Sequence, residues 1–140
     1  MRVDADGPGV IGDVLFGDPN RLSFAASSPL ESRTFTQAVF SQVANGLNYF
    51  TGLAILNPNA QTASITLDVY AVSGTKTGST VLTLGPRERA SKLLSQLLPV
   101  SEGQMGGYLV LTSTVPILAQ ELYGDSSFNF LSAVPPRIVK

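Results

Sequence analysis

The sequence predicts an all-β domain, an antiparallel β-sandwich of roughly 8 to 10 short strands with one short helical turn. Apolar residues alternate with polar ones over much of the chain, which is the period of a half-buried strand. Combinations of Gly, Pro, Asn, Asp and Ser interrupt these runs roughly every 8 to 12 residues. That spacing is too short for the helical crossovers of a parallel sheet.

The clearest alternation lies in Tyr49 to Val72, which contains two periodic runs joined by Asn57-Pro58-Asn59-Ala60. Leu53 and Ile55 share one face of the first run, and Ile65, Leu67, Val69 and Ala71 share one face of the second. Pro58 presets the φ of the first central turn position, and the Asn57 side chain can bond the backbone two residues on. We therefore predict a β-hairpin whose two runs pair antiparallel.

The other elements follow in chain order. Strands are predicted at Val10 to Phe16, Leu22 to Ala26, Phe35 to Val43, Thr80 to Leu84, Arg87 to Leu93, Gly107 to Thr112, Pro116 to Tyr123 and Phe128 to Ala133. In the third of these, Phe35, Gln37, Val39 and Ser41 share one face, and Asn45-Gly46 predicts a turn with positive φ. Leucines at helical spacing between Ser91 and Leu98 predict one helical turn, which Pro99 ends.

The length of 140 residues and the 44% apolar content fit one domain with a proper core. We expect residues 10–136 to form this single sandwich, with a disordered or non-native tail at 1–9 and a short tail at 137–140. Met1 to Gly9 has no apolar core of a signal peptide. The chain is therefore expected to be a segment of a longer protein or a cytoplasmic protein.

A short pattern occurs twice, near the two ends of the chain. Leu15-Phe16-Gly17-Asp18 matches Leu122-Tyr123-Gly124-Asp125 at an offset of 107 (125 − 18), and Phe24 matches Phe130 at 106 (130 − 24), an offset that Pro29 and Pro135 share. The hairpin at 10–30 is thus expected to repeat at 117–136, unless the match arises by chance in an apolar, glycine-rich chain. A repeated first hairpin either completes the domain's own sheet or leaves an edge for a neighbouring copy in a tandem array or oligomer.

Composition excludes many classes of function. Nine basic and ten acidic residues leave a net charge of −1, which argues against nucleic-acid binding. The absence of Cys, His and Trp removes disulfides, thiolate and imidazole metal ligands, and catalysis by His or Cys. No apolar run reaches the roughly 20 residues that span a bilayer. We expect no enzyme activity, no cofactor and no metal.

Four acidic residues form two pairs of candidate sites. Asp18 and Asp125 lie in matching turns, where oxygen ligands for calcium are conceivable but Asx-turn chemistry is expected. Glu121 lies in the strand that matches that of Asp13, one position out of register. A solvated strand face is expected there, rather than paired catalytic carboxylates.

A possible ligand site involves Arg87, Arg89, Lys92 and Tyr70. The first three form the one basic cluster of the chain, and alternation would place Arg87 and Arg89 on one strand face, able to bind an acidic partner or a carboxylated glycan. Tyr70 belongs to the tyrosines that can stack on a sugar ring. The alternative is that these tyrosines are core or cross-strand pairs.

The order of motifs from Phe40 to Pro135 resembles a β-sandwich module of secreted and cell-surface bacterial proteins. The matching segments are VANG, TGLAILNPNAQTASITLDVY, TLGPRERASKLLSQLLP and GYLVLTSTVPILAQELYG. The chain is more distantly similar to the sensory rhodopsin transducer family, in which a hairpin like ILNPNAQTASITLDVY precedes a proline-initiated strand like VPILAQ. The second resemblance implies an oligomer, and neither implies catalytic residues.

These observations predict a non-enzymatic structural or interaction module of a larger bacterial protein, located outside the cell or at its surface. Its expected partners are neighbouring proteins or other copies of itself. One alternative is a carbohydrate-binding module with a polysaccharide partner. Another, which the second resemblance implies, is an oligomeric signalling adaptor.

Overall fold

The computed structural model describes residues 6–7, 11–18 and 24–140. The strands are β1 (Asp13–Gly17), β2 (Ala25–Pro29), β3 (Phe35–Phe40), β4 (Ala44–Asn45), β5 (Tyr49–Leu56), β6 (Ala63–Tyr70), β7 (Lys76–Leu84), β8 (Arg89–Leu93), β9 (Gln104–Met105), β10 (Tyr108–Asp125), β11 (Leu131–Val134) and β12 (Arg137–Ile138). Helix α1 (Leu94–Leu97) and a 3-10 turn (Pro99–Ser101) follow β8. The predicted helical turn is confirmed, although it begins at Leu94 because Ser91 belongs to β8. No helix in the described part of the chain is long and apolar enough to cross a membrane.

Two antiparallel sheets form the body of the domain, and β10 belongs to both. The front sheet has the strand order β12-β3-β10-β6-β7, with residues 108–113 of β10 in its centre. The back sheet has the order β11-β10-β5-β8, with residues 118–125 of β10 in its centre. The predicted all-β antiparallel sandwich is confirmed.

The continuity of β10 corrects the prediction of separate strands at Gly107 to Thr112 and Pro116 to Tyr123. The backbone stays extended through Pro116, where the chain passes from one sheet to the other. Pairing with β6 ends at Ser113, and pairing with β5 begins at Leu118. Proline has no N–H to donate, so it is tolerated where the strand has few partners.

The core lies between the inner faces of the two sheets. Its largest fully buried side chains include Phe35, Phe40, Ile65, Leu67, Leu84, Leu94, Leu109, Leu111 and Ile117. Leu53 and Ile55 of β5 and the predicted face of β6 are buried here, apart from Ala71, which lies beyond β6 and is partly exposed. Removing these side chains from water is the main favourable contribution to folding.

The predicted hairpin of β5 with β6 is wrong. β5 pairs with β8 and β10, whereas β6 pairs with β7 and β10. The segment between β5 and β6 is an arch that crosses from the back sheet to the front sheet. Each strand has one apolar face, and these faces meet across the sandwich instead of side by side.

Strand β3 also differs from its predicted pattern. The buried residues are Phe35, Ala38 and Phe40, and not the face of Phe35, Gln37, Val39 and Ser41. The pairing of β3 with β10 shifts between Thr112 and Ile117, so the strict alternation is lost after Phe35. An irregularity of this kind re-aims the side chains that follow it.

The two ends of the chain also contribute strands. β1 and β2 form the predicted antiparallel hairpin, whose turn residues lie outside the described part. The last four residues, expected as a tail, extend the front sheet, because β12 pairs with β3. The carbonyl oxygen of Lys140 accepts hydrogen bonds from the backbone N–H groups of Thr36 and Gln37, at 2.8 and 3.1 Å.

Asn57 secures the arch between the sheets. Its fully buried side chain donates hydrogen bonds to the carbonyl oxygens of Gln61, Leu84 and Gly85, at 2.7, 3.2 and 2.9 Å. Its Oδ1 accepts hydrogen bonds from the backbone N–H and the side chain of Asn59. One amide thus joins the end of β5, the start of the arch and the end of β7.

We expect Asn57→Ala to lower the free energy of unfolding by about 2 to 4 kcal/mol, because buried carbonyl groups lose their donor. Urea denaturation monitored by circular dichroism measures the change. Asn59→Ala is the matched control: it removes the bonds to the Asn57 Oδ1 and to the exposed Pro116 carbonyl but keeps the three bonds that Asn57 donates. A loss of about 1 kcal/mol is expected. Equal losses in the two variants would show that Asn57 has no special role in the arch.

Candidate functional site

The four residues of the predicted ligand site do not share one surface. Arg87 has a φ of 61° in the turn before β8, where its backbone N–H donates to the Asn59 carbonyl at 3.1 Å. Arg89 starts β8 opposite Leu56, so Arg87 and Arg89 do not alternate along one strand as predicted. Tyr70 ends β6, about 23 Å along that strand from its start beside the arch.

Lys92 and Tyr70 do not join Arg89 in one ligand site either. Lys92 lies on β8 an odd number of residues from Arg89, and the period of two directs their side chains to opposite faces. The Tyr70 ring stacks on Tyr108, the residue opposite it in the front sheet, with centroids 4.8 Å apart and planes at 5°. Tyr70 therefore forms the cross-strand pair that was the alternative to sugar stacking.

A cavity of about 340 Å³ lies between the N-terminal hairpin and the back sheet. Val14 and Phe16 line it on the hairpin side, and Leu56, Arg89 and Gln120 line it on the sheet side. The buried Nε2 atom of Gln120 has no hydrogen-bond partner. Arg89 is the one predicted ligand residue that this cavity includes.

A surface that the sequence did not single out lies where β10 ends. We call it the loop patch, and it consists of Leu47, Tyr49, Phe128 and Phe130. Leu47 is 83% exposed and Phe128 is 55% exposed. The Phe130 ring contacts the rings of Tyr49 and Tyr123, with centroids 5.9 and 5.8 Å apart. The Phe128 ring stacks on Phe24 at 5.6 Å.

Hydrogen bonds hold the two loops of the patch together. The Ser126 backbone N–H donates to the Asn48 carbonyl at 2.8 Å, and the Asn48 side chain donates to Ser127 Oγ at 3.1 Å. The Asp125 carboxylate accepts hydrogen bonds from the backbone N–H groups of Asn129 and Phe130 and from the Asn129 side chain, at 2.6, 3.3 and 2.5 Å. These hydrogen bonds therefore fix the shape of the patch.

The electrostatics of Asp125 agree with this role. Burial acts to raise the pKa of its carboxyl group, but the hydrogen bonds from Asn129 and Phe130 outweigh burial and lower the pKa. The ionised form is the one that accepts these bonds. The turn chemistry expected for Asp125 is thus observed, and no group of three acidic, His or Cys side chains able to hold a metal occurs within the described ranges.

Three residues of these loops have a backbone conformation that side chains disfavour. Leu47, Asn48 and Phe128 have φ values of 51°, 72° and 57°. For Leu and Phe this region costs on the order of 1 to 3 kcal/mol, whereas Asn tolerates it. The predicted positive φ of Asn45-Gly46 therefore occurs two residues later. Gly46 is needed for space, since a Cβ atom there would lie 2.8 Å from Gly103 Cα.

Glu121 contradicts the expectation of a solvated strand face. Its side chain is fully buried opposite Leu53, and neither carboxyl oxygen has a hydrogen-bond partner. Burial raises the pKa of this carboxyl group to about 8. Glu121 is therefore a neutral acid at pH 7 that occupies a position of the core.

Comparison with known proteins gives a likeness of fold. The structure is similar to that of the Anabaena sensory rhodopsin transducer, with a TM-score of 0.55 and 20% sequence identity. The match covers 65% of this chain and 98% of the transducer chain. The predicted distant similarity to the transducer family is thus confirmed for the fold.

No protein family and no curated protein sequence matches the chain. The resemblance to a module of secreted and cell-surface bacterial proteins therefore stays a prediction, as do the extracellular location and the polysaccharide partner.

The buried Glu121 carboxyl should make stability depend on pH. Between pH 4.5 and about 8 the unfolded chain releases this proton while the folded chain keeps it. Stability should thus fall as pH rises through this window, by on the order of 5 kcal/mol in total. Urea unfolding at pH 5, 6, 7 and 8 measures the slope.

Glu121→Gln should remove most of this slope and make the protein more stable than the parent at pH 8, because the side chain can no longer ionise. The exposed Glu102→Gln is the control and should keep the parent's slope. An unchanged slope in Glu121→Gln would show that another group causes the pH dependence.

Proposed function

We propose that the chain is a non-enzymatic protein-interaction module that binds a partner protein through the loop patch. The observation that carries this proposal is the exposure of Leu47 and Phe128 on a backbone of positive φ. Exposed apolar side chains at neighbouring positions are typical of interaction sites. Backbone strain is retained where the surrounding structure fixes it, and such strain is concentrated at functional positions.

The rigidity of the patch supports binding to another folded surface. The hydrogen bonds of Asp125 and Asn48 fix both loops, so little conformational entropy is lost when a partner binds. Aromatic side chains such as Phe128 and Tyr49 supply a large contact area with few rotatable bonds. A patch with these properties is suited to a partner that presents an apolar pocket or ridge.

The chemistry of the two loops favours a protein over a lipid surface. Residues 45–49 and 125–130 contain no lysine or arginine, and Asp125 adds a negative charge. Basic residues are what attract a module to anionic lipid headgroups. The structural neighbour is named as the transducer of a sensory rhodopsin, and this name also supports a role in contact with another protein.

We expect Leu47→Asn and Phe128→Asn to keep the fold and weaken partner binding at least tenfold each. Asn tolerates positive φ, so Leu47→Asn should leave the free energy of unfolding within about 1 kcal/mol of the parent or raise it. A photo-crosslinking amino acid at Tyr49, introduced in the native host, should capture one protein, and Leu47→Asn should abolish that product. Purified partner and parent chain then give the dissociation constant by calorimetry.

Val72→Asn is the matched control, because Val72 is 79% exposed but lies near the start of β10 and not its end. It should bind the partner as the parent does. Equal crosslinking from Tyr49 and from position 72, or crosslinks that survive Leu47→Asn, would refute the loop patch as the site. Binding of the purified chain to neutral phosphatidylcholine vesicles that Leu47→Asn abolishes would replace the protein partner with a membrane surface.

A further inference from the structure

The two hairpins whose sequences match also have the same strand register. In the first, Phe16 lies opposite Ala26 and Gly17 opposite Ala25. In the second, Tyr123 lies opposite Ser132 and Gly124 opposite Leu131. The partners keep the sequence offsets of 107 (123 − 16) and 106 (132 − 26). A chance match of letters would not require the same pairing in three dimensions.

A side chain on the glycine of either hairpin would clash with the equivalent backbone atom. A Cβ atom on Gly17 would lie 2.7 Å from the Phe24 carbonyl oxygen, and one on Gly124 would lie 2.7 Å from the Phe130 carbonyl oxygen. Phe24 and Phe130 are the matched phenylalanines of the sequence pattern. Both glycines are therefore needed for the same close approach of the backbone, which is an observation independent of the register.

The two hairpins differ in what lies on the other side of their first strand. Residues 118–125 of β10 pair with β11 on one edge and with β5 on the other. The equivalent strand β1 pairs with β2, and no further strand pairs with it among the residues that the structure describes. The Phe50 ring of β5 lies 3.2 Å from the Cβ position of Gly124. The three atoms nearest to that position on Gly17 belong to the Phe24 backbone and to Ala25, and none of them is a ring atom.

The packing of the first hairpin agrees with a missing neighbour. Val14 corresponds to the fully buried Glu121, but it lines the 340 Å³ cavity above the back sheet. Ile11 corresponds to the partly buried Leu118, and it is 93% exposed. The surfaces that the second hairpin buries within its own sandwich are therefore incompletely covered in the first.

We propose that β1 and β2 form the terminal hairpin of a second copy of this sandwich, and that the open edge of β1 accepts the β5 strand of that copy. The pairing of β10 with β5 fixes the expected register. Ile11 would lie opposite the second copy's Leu56, Leu15 opposite its Gly52 and Asp18 opposite its Tyr49. The second copy's Phe50 ring would then cover Gly17. Backbone hydrogen bonds along β1 supply the affinity of such a strand addition.

A two-copy chain tests this proposal. An added copy, residues 30–116, is placed directly before Val10–Lys140. Val10 then follows Pro116 of the added copy, which is the position of residue 117 in the repeat. We expect both copies to fold, and the amide protons of Ile11, Asp13, Leu15 and Gly17, which point away from β2, to exchange at least 100-fold more slowly than in the parent chain. Hydrogen exchange followed by NMR measures this protection. Gly17→Val in the two-copy chain should abolish the protection, while the amides of β10 and β5 in the original copy keep theirs.

A disulfide gives a second readout, because the chain has no cysteine. Leu122→Cys with Gly52→Cys in the parent chain joins residues that lie opposite each other and is the positive control. Leu15→Cys with Gly52→Cys of the added copy should form the equivalent bond to the same extent. An added copy that stays unfolded, or amides of Ile11, Asp13, Leu15 and Gly17 that exchange as in the parent, would overturn the proposal. Either outcome would leave the proposed binding function of the loop patch unaffected, since neither measurement uses a partner protein.

Discussion

The pairing of β10 with strands of both sheets is the constraint on which the rest of the fold depends. Its first part holds β6 and β3, and its second part holds β5 and β11. Displacing this one strand would leave each sheet without an internal member and would expose the core between them. The arch secured by Asn57 and the loops at the end of β10 are arranged around its two halves. The loop patch therefore lies beside the end of β10, which pairs with four other strands. This pairing explains how exposed loops keep a defined shape.

The sequence predicted which faces are buried more successfully than which strands are neighbours. Leu53, Ile55, Ile65, Leu67 and Val69 are in the core as their alternation indicated. A period of two states that a strand has one apolar face, but the same pattern suits a hairpin and two strands that face each other across a sandwich. The turn residues Asn57 and Pro58 did not distinguish these cases, because the Asn57 bonds that matter reach Leu84 and Gly85, far along the chain.

The candidate site was missed for reasons of the same kind. Leucine and phenylalanine rarely adopt positive φ, so nothing in the residue types at 47 and 128 predicts it. The available signal was an apolar residue set among turn formers, in Gly-Leu-Asn at 46–48 and Ser-Phe-Asn at 127–129. Glu121 was misjudged because carboxylates are almost never fully buried without a partner. The repeated hairpin, in contrast, was visible from Gly17 and Gly124, because the close backbone approach at both positions excludes a side chain.

The position of β10 in the sequence also has a consequence for the order of folding. β3, β5 and β6 precede it, yet each has β10 as a neighbour, so their contacts close loops of some tens of residues. Contacts at such sequence separation form slowly, since the entropy of loop closure is lost before pairing compensates it. On a ribosome, β5 and β6 would leave the exit tunnel well before their shared partner, with apolar faces and unpaired edges exposed. Until β10 is made, the nascent chain therefore exposes apolar surface that favours aggregation.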